Sequence, residues 1–329
     1  MSLAKDLGER KIIELILECL APMPNQSIPF GDDVSAIDIG NDRLVVVNTD
    51  MLVGKTDVPK TMSHWQAARK TVIMNISDLA AKGTLPIALL VSIGVPPTMT
   101  KTDILQIGKG LNAGAREYGA YIIGGDTNEA SDLIINCIAL GISDKRHLIK
   151  RCGAESGDYV AVTGSFGKTA AGLKILINNF SAPAIREVLV ESVLMPKARV
   201  KEGVAIAQSQ VATASIDISD GLAWSLHELS RANNVGFYIN HLPIGSEVEK
   251  FADLHGFDPV KLALYGGEEY ELLVTIKPEY WKKAAKAVKN VGGSLIKIGV
   301  VTKAKTILLE KDEKIFSIES SGWEHFKSD

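Results

Sequence analysis

Six aspartates stand in short apolar or glycine-rich stretches where a carboxylate is out of place. They are Asp33 in Gly31-Asp32-Asp33, Asp50 closing Val45-Val46-Val47-Asn48-Thr49-Asp50, and Asp78 in Asn75-Ile76-Ser77-Asp78-Leu79-Ala80. The others are Asp126 in Ile122-Ile123-Gly124-Gly125-Asp126-Thr127, and the pair in Asp217-Ile218-Ser219-Asp220-Gly221-Leu222. A carboxylate left unpaired in a dry site costs several kcal/mol or shifts its pKa. No run of Lys or Arg flanks these motifs to neutralise them. Hard divalent cations do so, because Mg²⁺ prefers carboxylate oxygen and commonly bridges to phosphate. The pattern predicts an acidic site that holds several Mg²⁺ ions around a nucleoside triphosphate.

Each aspartate also has an ordinary reading. Asp33 suits a turn, Asp220 suits the N-cap of the helix that follows, and Asp78 could be an exposed helical residue. Asn48 and Thr49 add oxygen ligands beside Asp50, and Gly124-Gly125 lacks Cβ atoms that would keep a phosphate or metal from the backbone at Asp126. Six separate accidents of one kind are less economical than one shared site. Gly266-Gly267-Glu268-Glu269-Tyr270-Glu271 reads as a solvated loop entering a strand or as a further acidic contact. Gly164-Ser165-Phe166-Gly167-Lys168-Thr169 reads as a phosphate-contacting loop or as a tight strand-to-helix turn. It is not a Walker A motif, since the required first glycine falls on Val162. Dinucleotide, zincin and α/β-hydrolase signatures are absent from the sequence.

The elements that must position these residues follow from periodicity. Residues 5–20 form an amphipathic helix. Strands are expected at 34–39, 44–48, 87–95, 120–123 and 133–142. Helices are expected from the Ser63 cap to about residue 82 and over 103–118. A basic, Gly-rich stretch at 150–158 separates two units, residues 1–147 and residues 148–329. The second unit starts with a strand at 159–163. It continues with helices at 169–178, 200–209, 222–233 and 278–290, and strands at 236–239, 271–276 and 294–301. The pair of Ile-Ser-Asp motifs at 76–78 and 218–220 hints at related halves.

The 329 residues exceed one typical core. A hydrophobic share of 46% with 23% charged residues is that of a globular enzyme. The net charge of −3 argues against nucleic acid. Three cysteines without metal-ligand spacing read as reduced thiols in the cytoplasm. No apolar run approaches the ~20 residues that span a bilayer, so no membrane partner is expected.

Taken in order, the motifs GDD, NTDMLV, NISDLAAKG, GGDT, DISDGLA, GGEEYELL and GWEHF resemble the thiamine-monophosphate kinase family over residues 30–326. That family is related to aminoimidazole ribonucleotide synthetase. The resemblance implies an α+β fold of two domains, with the N-terminal sheet at a homodimer interface and the site in the cleft between domains. It implies phosphorylation of thiamine monophosphate by ATP to give thiamine diphosphate. Matching positions assign Mg²⁺ to Asp33, Asn48, Thr49, Asp50, Asp78, Asp126, Asp217 and Asp220. They assign ATP to Gly125, Asp126, Arg151 and Ser219, and substrate to Glu268 and Trp323. Asp57 occupies the position of a substrate-contacting family histidine, and Gly108 that of a tyrosine that meets the nucleotide. Asp126, Arg151 and Asp220 are the expected catalytic residues, with Arg151 neutralising charge on the transferred group.

Two rival readings remain. Another enzyme of the superfamily shares the scaffold, but a selenophosphate synthetase needs a reactive cysteine in an N-terminal glycine-rich loop, and only Cys19 precedes Gly31. A nucleotide-binding regulatory protein without turnover would have to retain the acidic set with no chemistry for it.

Overall fold

The computed structural model describes residues 3–24, 26–28 and 30–326. Its first unit contains α1 (Ala4–Leu7), α2 (Glu9–Leu17), β1 (Ser35–Asp38), β2 (Arg43–Val53), α3 (Gly54–Asp57), α4 (His64–Ala81), β3 (Pro86–Val95), α5 (Lys101–Glu117), β4 (Tyr121–Glu129) and β5 (Ile134–Asp144). The five strands form one sheet in the order β1-β2-β5-β3-β4. The second unit contains β6 (Tyr159–Val162), α6 (Lys168–Asn178), α7 (Arg186–Leu194), α8 (Val200–Ser209), β7 (Ala212–Asp217), α9 (Leu222–Asn233), β8 (Gly236–Ile239), α10 (Ser246–His255), α11 (Pro259–Tyr265), β9 (Leu272–Ile276), α12 (Trp281–Asn290), β10 (Ile296–Thr302), β11 (Ile307–Lys311) and β12 (Lys314–Ser317). Its seven-stranded sheet runs β12-β11-β8-β10-β6-β9-β7. The architecture is the expected α+β fold of two sheet-bearing units.

Helix α4 lies between the two units. Ser63 caps it through a reciprocal box with Gln66. One side packs on β2, β5 and α5, the other on α8, β7 and β9. A helix covered on all sides carries no polar stripe, and α4 accordingly buries residues from Ala67 to Ala81 almost without interruption. The backbones of α4 and α8 touch: a Cβ on Gly203 would lie 2.0 Å from the Ala80 carbonyl oxygen.

Several expectations are corrected. The N-terminal helix breaks at Gly8, whose φ is 75°, and its apolar stripe stays exposed at Ile13, Ile16 and Leu20. Strand β2 does not stop at Asn48, so Asp50 lies within it rather than closing it. Strand β4 runs straight through Gly124-Gly125-Asp126. Helices α7, α10 and α11 escaped the sequence reading: α7 has weak periodicity and α11 is only seven residues long, whereas α10 buries Val248, Phe251 and Ala252 on one face and was simply missed. The two Ile-Ser-Asp motifs are not equivalent: the first is helical in α4, while the second bridges β7 and α9. Cys19, Cys137 and Cys152 are free thiols. Among the described residues no helix is long and apolar enough to cross a membrane.

Candidate active site

The last turns of α4 bring most of the acids together. Carboxylate oxygens of Asp33, Asp78 and Asp217 lie within 4.8 Å of one another. Strand β2 points Asn48 and Asp50 toward the same helix. Asn48 Nδ2 donates to Asp78 Oδ2 at 2.7 Å, and the Asp50 amide donates to Asn75 Oδ1 at 2.9 Å. Ser77 Oγ donates to Asp217 Oδ2 at 2.7 Å, which ties α4 to the end of β7. Asn75 and Ser77, poor helix formers, therefore serve as brackets for the acids. Asp220 does not cap α9. That position belongs to Gly221, without a side-chain cap.

The cluster carries more charge than it can hold ionised. Burial, then the charge of Asp33, pushes Asp50 up to about 6 and Asp217 up to about 8. Burial pushes Asp220 up to about 7, and Asp78 rises well above the usual carboxylate range. Asp33 is the exception. Burial raises it, but Arg151 and Lys82 outweigh that and hold it below the ordinary value. Lys82 Nζ lies 2.6 Å from Asp33 Oδ2 and 2.6 Å from Asp32 Oδ1. Arg151 Nε donates to Asp33 Oδ1 at 2.9 Å, with Nη2 on the same oxygen. The expectation of no neutralising cation is thus wrong for Asp33. Lys82 caps the C-terminus of α4, and Arg151 arrives from the other unit.

The remaining carboxylates, Asp50, Asp78 and Asp217, make no direct ion pair among the described residues, although the charge of Arg151 reaches Asp217 and partly offsets its burial. Asn48 Oδ1 is buried without a hydrogen-bond partner. An all-oxygen set with unspent negative charge fits Mg²⁺ and no soft metal.

One cavity borders the cluster and a second lies behind the backbone of residues 219–220 and 267–268. The first, of about 510 Å³, is lined by Arg10, Arg151, Asp217, Ser219, Asp220 and Trp224. It holds the ATP-contact candidates Arg151 and Ser219, and Arg10 stacks 3.6 Å above the Trp224 ring. The other, of about 600 Å³, brings Asp57, Glu268 and Trp323 together beside Val58, Leu173 and Leu176. The wall between them is stitched by backbone: Glu268 N donates to the Ser219 carbonyl at 2.5 Å, and Trp323 N donates to the Asp220 carbonyl at 3.1 Å.

The double-glycine segment is no solvated loop. Glu268 and Tyr270 adopt φ of 63° and 51°, rare for side-chain-bearing residues. The alternation sends the three acids to separate partners. Glu268 pairs with Lys70, Glu269 accepts from the Gly167 amide at 2.7 Å, and Glu271 is held by Arg199 and by Thr163 Oγ1 at 2.6 Å. Burial pushes Glu269 up to about 8. The 164–169 loop contributes to a different cavity of about 620 Å³, with Lys168 and Arg199, away from the aspartates. It is a tight turn with Gly167 at φ 95°.

Thr49, Gly125 and Asp126 are not brought into the cluster. Strand register puts Asp50, Cys137, Val91 and Gly125 on one row and Met51, Asn136, Ser92 and Asp126 on the next. Alternate rows face opposite sides. Asp126 is therefore on the outer face and exposed, while Gly125, on the inner row, is three strands, about 14 Å, from Asp50. Thr49, also outward, spends its hydroxyl on Asn136 Oδ1 at 2.7 Å. Gly125 is small for a different reason from the expected ligand approach: a Cβ there would meet the Val91 carbonyl at 1.8 Å. Sequence reasoning missed Lys70 and Lys82. Their signal was a lysine inside a helix otherwise rich in Ala, Val and Ile and a second one at its C-cap, where a solvated lysine has no face to occupy.

Residues 31–143 match the family described as AIR synthase related protein, N-terminal domain, and residues 155–310 match its C-terminal domain. Fold and site together thus define an AIR synthase-related two-domain protein. The chain is 36% identical over 323 residues to the thiamine-monophosphate kinase of Pyrococcus horikoshii, covering 98% of this chain and 97% of that one. It is 40% identical over 298 residues to that of Pyrococcus abyssi, covering 90% of each. The solved structure of AaThiL complexed with AMPPCP and TMP matches with a TM-score of 0.86 at 28% identity, over 99% of both chains. The chain belongs to the thiamine-monophosphate kinase family of phosphotransferases.

Proposed function

We propose that this protein transfers the γ-phosphoryl group of ATP directly to the phosphate of thiamine monophosphate, giving thiamine diphosphate and ADP in the cytoplasm. The observation that carries the reading is the convergence of Asp33, Asp78 and Asp217 within 4.8 Å, with Asp217 lining the cavity that also holds Arg151 and Ser219. The nucleotide takes the cavity with Arg151 and Ser219, and the thiamine moiety the one with Asp57, Glu268 and Trp323. Their phosphates then meet at the wall formed by Ser219, Asp220 and Glu268.

Asp33, Asp78 and Asp217, with Asn48, Asp50 and Asp220 beside them, would hold the Mg²⁺ ions. Bound there, Mg²⁺ supplies charge neutralisation between phosphates that repel by about 4 kcal/mol per pair of unit charges ~4 Å apart at an effective dielectric of ~20. Arg151 turns its guanidinium toward the transferred group from its seat on Asp33. Trp323 offers an indole face to the cationic thiazolium. No general base is required, because the accepting phosphate oxygen is already ionised and attacks in line as ADP leaves.

The outer face of the N-terminal sheet supports a homodimer. Ile37, Met51, Leu90 and Tyr121 are exposed on one face, a patch that favours burial against a second copy. Thr49 and Asp126 lie on that face and act, in this reading, from the interface. The domain boundary is taken at 147/148.

The test is direct. Protein incubated with Mg-ATP and thiamine monophosphate is expected to form ADP and thiamine diphosphate one for one. Thiamine and formylglycinamidine ribonucleotide serve as controls. ADP formed only with the ribonucleotide would move the chain to the synthetase branch, and no ADP with any of them would end the reading.

A further inference from the structure

Lys70 sits in α4, 1% exposed, one layer behind the cavity assigned to thiamine monophosphate. Its ammonium has two partners on the page. It pairs with Glu268 Oε1, and it donates to the Asp57 carbonyl at 3.1 Å. These partners come from different units of the fold and both line the cavity. A lysine stripped of water is held in place only by such partners, because an unpaired buried charge is costly. Glu268 keeps a quarter of its side chain exposed and an unusual backbone conformation at φ 63°. Its Oε2 has no hydrogen-bond partner among the described residues.

We infer that Lys70 is a positioning residue for the acceptor substrate: it fixes the Glu268 carboxylate, and the Asp57 turn, in the geometry that binds the thiamine moiety. The inference rests on the proposed function and deepens it. Lys70 touches no cavity itself. It claims one oxygen of Glu268 and leaves the other to accept from a donor or face a cation on the ligand. A charge-assisted bond of this kind fixes direction as well as distance. Nothing on Lys70 reaches the Arg151–Ser219 cavity, so its effect belongs to one substrate and not to ATP.

The experiment measures equilibrium binding of thiamine monophosphate and of Mg-ATP separately, by calorimetry, with the KM of each as a second readout. Lys70→Met keeps the buried chain length and removes the charge, and a melting curve checks its fold. The expected result is a Kd and KM for thiamine monophosphate raised about tenfold, with ATP values within about twofold, where tenfold corresponds to ~1.4 kcal/mol. Glu268→Gln is expected to weaken the same ligand. In the double variant, Lys70→Met should add little to Glu268→Gln, because it acts through that carboxylate. Lys70→Arg keeps the charge with a different head group and is expected to fall between wild type and Lys70→Met. It serves alone if the methionine variant does not fold. Equal weakening of both ligands, additive effects in the double variant, or no change in thiamine monophosphate binding would each overturn the inference. Wild-type protein that fails to bind thiamine monophosphate would instead overturn the proposed function, and this inference with it.

Discussion

The two faces of the N-terminal sheet carry similar residues to opposite ends. On the inner face, Asn48 and Asp50 look onto α4 and join a dry cluster in which carboxylates are driven toward their neutral forms. On the outer face, Thr49, Asn136, Ser92 and Asp126 stand in the open among exposed apolar residues. In sequence, Asn48-Thr49-Asp50 is one acidic motif. In a strand, period two divides it, and the middle residue faces away from its neighbours. The lesson is that adjacency in a strand motif argues against a shared ligand sphere, whereas i, i+2 spacing argues for it.

The sharpest way to break this contrast is on the inner face. Asp217→Asn keeps the shape of a side chain that is protonated up to about 8 in the metal-free protein, so the fold should survive. It removes one anionic ligand from the set, and loss of a preorganised electrostatic contact of this kind costs on the order of a hundred- to a thousandfold in rate. We expect kcat/KM for thiamine monophosphate to fall by that factor, with weaker Mn²⁺ binding. Near-normal turnover at saturating Mg²⁺ would remove the cluster from the chemistry.

Asp126→Asn asks the same of the outer face, with a smaller expected loss of ~10- to 100-fold, the range for residues that support a metal site from outside it. The discriminating readout is Mn²⁺ titration. Inner-face substitutions should lower affinity or stoichiometry at the cluster, and Asp126→Asn should leave that site unchanged. Loss of the same binding step in both would merge the faces into one ligand sphere.

How much of this was legible beforehand divides along physical lines. Helices with a local signal were readable to within a residue or two: α4 through its Ser63–Gln66 capping box, α8 and α9 through their apolar periodicity. So was the gathering of Asp33, Asp78 and Asp217, since burial of a carboxylate needs a reason, but not the place of Asp126, which is exposed. What was not legible is which way each acid points. Gly124-Gly125-Asp126 reads as a ligand loop until strand pairing shows that β4 continues through it. Lys82 and Arg151 on Asp33, and Lys70 on Glu268, are pairs separated by 49 residues or more of chain, and no spacing rule reveals them. The seating of Glu269 and Glu271 required two non-glycine residues at positive φ, which sequence does not announce.

Stability against pH gives a third test, of moderate size. Asp217 and Asp220 in the cluster, and Glu269 outside it, titrate at about 8, about 7 and about 8 when folded. In the unfolded chain they titrate near 4. A raised acid contributes stability that is complete below its unfolded pKa and is lost as pH rises through the folded one. Each can remove at most about 1.4 kcal/mol per pH unit across that window. Asp33, which is depressed, runs the other way and loses its contribution only below about pH 4. In EDTA the melting midpoint should therefore fall from pH 5.5 to pH 8. Mg²⁺ should recover most of the loss at pH 8 if, as proposed, it binds the ionised cluster. Glu269→Gln should reduce the slope and leave the Mg²⁺ recovery intact. Midpoints that stay level across the range without divalent ions would mean the inner-face acids are ionised and already paired.

The smallest expected effect separates neighbours one residue apart. Thr49 Oγ1 donates to Asn136 Oδ1 at 2.7 Å, with the Cys137 carbonyl an alternative acceptor at 2.9 Å, all on or near the outer face. Thr49→Val keeps the β-branched shape and removes a partly exposed hydroxyl, a change worth about 1 kcal/mol of stability. We expect turnover within about threefold of wild type, since ~1.4 kcal/mol is a full tenfold and part of the loss falls on folding alone. Asn48→Leu, next to it, strips Asp78 of its 2.7 Å donor and should cost far more activity. If Thr49→Val proved as damaging as Asn48→Leu, the hydroxyl would have to reach the inner site, and the strand would need a twist or bulge at 49 that its unbroken register with β5 does not contain.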